Sequence, residues 1–210
     1  MAYQPTPTRL ESFSDGVIAV IITIMVLEFK VPAANGLAGL VTLLPTLAVY
    51  LLSYVFVGIY WVNHHHLVGR LKHADHLILW ANLFHLFFLS LTPFFTNYMV
   101  VKLEDSFSVA VYTALLLVLG LSFSVLQFAV ARSLRLEIPD APDALSEQLT
   151  HHATEQRKSQ ISIVMYLAGI GLAYVHPVLS LVSAALVALL WIVPTFSLER
   201  STPSSRHPQP

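Results

Sequence analysis

The 210-residue chain has no cysteine, so neither a disulfide framework nor a thiolate metal site is open to it. Charge is nearly as scarce. Asp, Glu, Lys and Arg make up 11% of the residues, against about 25% in a soluble domain. No cleavable signal peptide is expected: residues 1–12 are polar, and the first apolar run is too long for an h-region. The first helix is therefore expected to insert uncleaved. What remains is apolar, at 56% hydrophobic residues with mean hydropathy +0.69. Several stretches approach the roughly 20 residues that cross a hydrocarbon core. The expected class is an all-α integral membrane protein.

Six segments are expected, at about 13–31, 37–62, 77–101, 107–131, 161–175 and 178–196. Pro32 and Asn35-Gly36 close the first as a turn. Pro45 either kinks the second or marks its true start. Residues 132–160, with Pro139 and Pro142, read as one long hydrophilic connection. The fifth segment is short and is expected to start a turn earlier, near Arg157. Residues 1–200 then form one six-helix domain, and 201–210, rich in proline and serine, a disordered cytoplasmic tail. With six spans, one side receives Arg9, Arg70, Lys72, Arg132, Arg135, Arg157, Lys158, Arg200 and Arg206, while the other receives only Lys30 and Lys102. Such an asymmetry places both termini in the cytoplasm of a multi-pass cell-membrane protein.

The first segment, FSDGVIAVIITIMVLEFKV, carries the most information. Taking Val20 as reference at about 100° per residue, Thr23, Ile24, Leu27 and Val31 lie within roughly 100° of it. This face is branched aliphatic with one hydroxyl, and acids sit near each end of the helix but not in its middle. It reads as the wall of an ion pathway, where a ring of such side chains gates by dewetting. The alternative is a face turned to lipid or to a neighbouring helix. Gly16 and Ala19 permit close helix approach. Glu28 is placed to raise cation concentration at the outer mouth, or else snorkels or pairs with Lys30. A position off the aliphatic face, such as Met25, is expected to face lipid.

Asp15 lies near the cytoplasmic end of this helix, where a buried charge needs partners. Arg9 is six residues away and about 120° round a straight helix, and Glu11, four residues away, repels it. Partners are therefore expected from another helix, with Trp61, His64, His65 and Asn82 at suitable depth. The alternative is that Ser14 or Asp15 caps a solvent-facing first turn.

Ten histidines suggest a metal, but the spacing disfavours one. Three in a row, His64-His65-His66, point about 100° apart on a helix, and no H-E-x-x-H occurs. No glycine-rich phosphate loop, serine nucleophile elbow or T-V-G-Y-G filter is present either. No enzymatic activity, cofactor, metal or nucleic-acid partner is expected.

Arg9-x-x-x-Phe13-Ser14-Asp15-Gly16, the apolar run, and Glu28-Phe29-Lys30-Val31-Pro32 together resemble the transmembrane protein 175 family. So do Trp61-x-x-His64-His65, Asn82, and Pro93-Phe94-x-Thr96. The likeness is strongest over the first three segments. It implies a six-helix protomer assembling as a homotetramer, a potassium-permeable channel without a P-loop, and monovalent cations and lipid as partners. It also implies that Val20, Ile24 and Leu27 form the bottleneck and filter, with Thr23 in the supporting layer. Arg9, Phe13, Ser14 and Asp15 would hold the pore helix against its neighbours. Val20 departs from the isoleucine or leucine usual at the innermost position, and a smaller side chain there bears on potassium-over-sodium selectivity. Two other readings stand beside the channel: a secondary transporter, proton-coupled through Asp15, and a non-conducting membrane scaffold.

Overall fold

The structure, a computed structural model, describes residues 6–137 and 142–192, with side chains given for 6–135 and 155–192. The expected tail lies outside the described residues, as do Arg200, Arg206 and Pro139. Eight helices are present among them: α1 (Pro7–Leu27), α2 (Gly36–Thr42), α3 (Leu44–Val68), α4 (His76–Ser90), α5 (Thr92–Val101), α6 (Ser106–Glu137), α7 (Pro142–Ala173) and α8 (Pro177–Ile192).

Proline sets many of the boundaries. Pro7 opens α1, where a missing N–H costs nothing. Pro45 sits in the first turn of α3, so it marks a start rather than a kink. Pro93 splits the third apolar segment into α4 and α5, because its ring cannot coexist with the carbonyl four residues back. After α1 the chain turns through Gly36, at φ +66°, a backbone conformation that a side chain disfavours. Asp75 caps α4 by accepting from the Ile78 N–H at 2.8 Å, and Asp105 caps α6 by accepting from the Ser108 N–H at 3.1 Å.

Two sequence expectations fail here. Residues 132–160 are not a long connection. α6 continues to Glu137 and α7 begins at Pro142, so α7 starts about four turns before Arg157. Charge and proline suggested a loop, but both helices simply run on beyond their apolar lengths, and Pro142 occupies a helix-opening position. The first helix is also displaced. It starts two turns earlier than Phe13 and stops at Leu27, with Glu28 as its C-cap residue. By length and composition, four of the described segments suffice to cross a bilayer: Pro7–Leu27, Leu44–Val68, His76–Val101 and Ser106–Arg135. α8 is apolar but only 16 residues long, and α7 carries charge through its first half.

α6 is the central post, packing on α4, α5, α7 and α8, with Tyr112, Leu116, Leu119 and Leu126 fully buried. α1 lies to one side against α3, α4 and α5. Its position is what the rest of the bundle fixes.

Candidate pore helix and its anchors

α1 has two faces. Leu10, Ser14, Ile18, Ile21 and Met25 are buried against the protomer. Val20, Thr23, Ile24 and Leu27 are exposed, at 54%, 42% and 78% for the three aliphatic residues Val20, Ile24 and Leu27. The two sets are centred roughly 130° apart round the helix. Met25 is therefore not a lipid-facing position. It is 3% exposed and belongs to the seam with the bundle. Lying off the aliphatic face did not make it lipid-facing, because the seam occupies that side of α1.

Polar contacts clasp α1 at both ends. The Trp61 indole N–H donates to Asp15 Oδ1 at 2.9 Å, joining α3 to α1. Beside it, His65 Nδ1 lies 2.8 Å from Glu11 Oε1. Beneath these runs a buried relay through three helices. His64 Nε2 donates to Asn82 Oδ1 at 2.8 Å, Asn82 Nδ2 donates to Ser14 Oγ at 3.0 Å, and the Ser14 hydroxyl donates to the Leu10 carbonyl at 2.9 Å. Ser14, His64 and Asn82 are all at 1% exposure or less. At the far end, Asn97 Nδ2 on α5 donates to Glu28 Oε2 at 2.7 Å. Between the clasps the seam is apolar.

The expected residues are thus partly brought together and partly redistributed. Of the four candidates for Asp15, Trp61 reaches it, His64 and Asn82 serve Ser14, and His65 turns to Glu11. Ser14 lies in the second turn and is wholly buried, so neither it nor Asp15 is a solvent-facing cap. Arg9 is near the start of α1 and Phe13 is half-exposed. Glu28 pairs with Asn97, not with Lys30. The sequence reading missed the structural use of Glu11, taken only as a like charge near Asp15, and the role of Asn97. A signal was available for the latter, since Asn97 is a polar residue in an apolar segment. A second buried cluster also went unread: Thr96 donates to Ser53 at 2.9 Å, and Ser53 and Tyr112 hydroxyls lie 2.8 Å apart, tying α5, α3 and α6. Among the described residues no group of three metal-ligating side chains converges.

The exposed face of α1 borders a groove of about 730 Å³ shared with α5, lined by Phe13, Gly16, Val20 and Ile24 on one wall and Pro93 and Phe94 on the other. A side chain at Gly16 would meet open space. The chain therefore leaves an open, largely apolar groove along its first helix.

Comparison with known proteins agrees in the same region. Residues 9–93 match the family model described as endosomal/lysosomal potassium channel TMEM175. Over 196 residues the chain is 38% identical to a potassium channel of Chryseobacterium sp. (strain P1-3), covering 93% of this chain and 97% of that one. A potassium channel of Streptomyces collinus is 31% identical over 209 residues, covering 93% and 98%. The crystal structure of a lysosomal potassium-selective channel TMEM175 homologue from Chamaesiphon minutus superposes with a TM-score of 0.70 at 26% identity, over 88% of this chain and 95% of that one. A membrane protein whose first helix is clasped at both ends and matched along nearly its whole length in this way is a member of the TMEM175 family.

Proposed function

We propose that this chain forms a potassium-permeable cation channel without a P-loop, in which four copies of α1 surround a central pore. The observation that carries the reading is the division of α1 into a buried seam and an uncovered face that holds Val20, Thr23, Ile24 and Leu27. Closing four such faces on one axis gives stacked rings of branched apolar side chains. A cation entering them sheds water with no charge to replace it, so the rings act as gate and filter. The Thr23 hydroxyl donates to the Val20 carbonyl at 2.9 Å, so its hydrogen is engaged by the helix backbone. Glu28, exposed and held by Asn97, is set at the mouth to concentrate cations. The groove beside α1 is where the neighbouring copy's α1 fits, close approach being eased by Gly16 and Ala19.

In this reading α7 and α8 complete a six-span protomer in the cell membrane with both termini in the cytoplasm, consistent with the Lys and Arg asymmetry. Asp15 sits at the clasp and not at mid-membrane, and α1 is unbroken, which disfavours a transporter built on interrupted helices. The test is purified protein in a planar bilayer under a potassium gradient. Discrete unitary currents that reverse near the potassium equilibrium potential are the expected result. Flux without unitary currents would make it a transporter, and no flux a scaffold.

A further inference from the structure

The structure assigns a second site, remote from α1, between α6 and α7. A cavity of about 580 Å³ opens there, a size typical of ligand pockets. Its walls carry the Arg132 and Arg135 side chains from α6, the amides of Gln127 and Gln156, the carboxylate of Glu155, and the ring of Phe128. Arg132 and Arg135 are three residues apart and so share one helix face. Both are exposed, and no described residue forms a hydrogen bond or ion pair with either. Among the described residues Glu155 is the one acid of the lining, and Arg70 Nη2, just past the end of α3, lies 4.0 Å from its Oε1, so its charge is offset by a third arginine. The balance among the described residues is cationic.

The depth of the cavity identifies its occupant. Arg132 marks the point where α6 leaves its apolar length, and Phe128, one turn further in, is 69% exposed. Guanidinium groups suit the paired oxygens of a phosphate, and an exposed aromatic ring one turn deeper suits an acyl chain. A soluble phosphate would use the first and leave the second bare. We infer that this cleft binds the phosphodiester headgroup of an anionic phospholipid at the arginine-rich end of the bundle, as basic pockets between membrane helices do.

The experiment is native mass spectrometry of the purified full chain, titrated with phosphatidylglycerol or phosphatidylcholine. Wild-type protein should bind phosphatidylglycerol at least several-fold more tightly. Arg132→Gln and Arg135→Gln should each weaken that preference, and the double variant should abolish it, while Lys102→Gln at the opposite end should keep it. Millimolar inorganic phosphate should fail to displace the lipid. Equal binding of the two lipids to wild type, or preference unchanged in the single variants, overturns the assignment. Displacement by phosphate overturns it in favour of a soluble anion.

Discussion

Ile24→Asn should raise single-channel conductance and weaken discrimination between potassium and sodium. Ile24 is on the uncovered face of α1, and in the proposed tetramer each substitution would be repeated round the ring. An amide keeps water in a constriction that branched aliphatic groups exclude, so the dehydration barrier falls. A reduction of about 1.4 kcal/mol corresponds to a tenfold faster crossing, and a change of that order is expected. The control is the next residue. Met25 is buried in the seam with the bundle, and Met25→Asn would bury an amide without a partner, at about 1–3 kcal/mol. It should lower thermal stability and leave the conductance of surviving channels unchanged. Bilayer recordings paired with thermal unfolding separate the two. Unchanged current in Ile24→Asn with altered current in Met25→Asn would mean that the seam, and not the uncovered face, meets the ions.

Asn82→Ala is the substitution expected to cost most in stability. Asn82 both accepts from His64 and donates to Ser14, and all three side chains are buried. Removing the amide orphans a donor on His64 and an acceptor on Ser14 at once, at about 1–3 kcal/mol for each. Thermal unfolding should shift down by several degrees. Asp15→Ala should cost less. Its partner Trp61 is 43% exposed, so water replaces the lost hydrogen bond, and the net value of such a bond is about 0.5–1.5 kcal/mol. Measuring both by tryptophan fluorescence orders them. An Asp15→Ala loss larger than that of Asn82→Ala would move the centre of the anchor from Ser14 to the carboxylate.

That order of importance was not legible in the sequence. The stretch from Arg9 to Asp15 marks an anchor, and the depth of Trp61, His64, His65 and Asn82 makes them its partners. Yet sequence spacing leaves the pairing open, because Ser14 and Asp15 are adjacent and point about 100° apart on the helix. Charge drew attention to Asp15, whereas burial favours the neutral hydroxyl, which needs no counter-ion in a low-dielectric site. Helical period picked out Val20, Thr23, Ile24, Leu27 and Val31 as one face; the first four are left uncovered together, whereas Val31 lies beyond the end of α1 and belongs to no helix face. The period said nothing of which other face the bundle would take, and Met25 was misplaced for that reason. The extension of α6 and α7 past their apolar lengths escaped notice because hydropathy marks where a helix leaves lipid and not where it ends.

The most direct measurement uses the absence of cysteine. Single replacements Val20→Cys, Thr23→Cys, Ile24→Cys and Leu27→Cys, with Ile18→Cys, Ile21→Cys and Met25→Cys for comparison, can each be exposed to a small cationic thiol reagent during recording, with no native thiol to react. If α1 lines the pore by its uncovered face, current is blocked irreversibly in the first group and unaffected in the second. Block in the second group, or none in the first while the channels conduct, would contradict it.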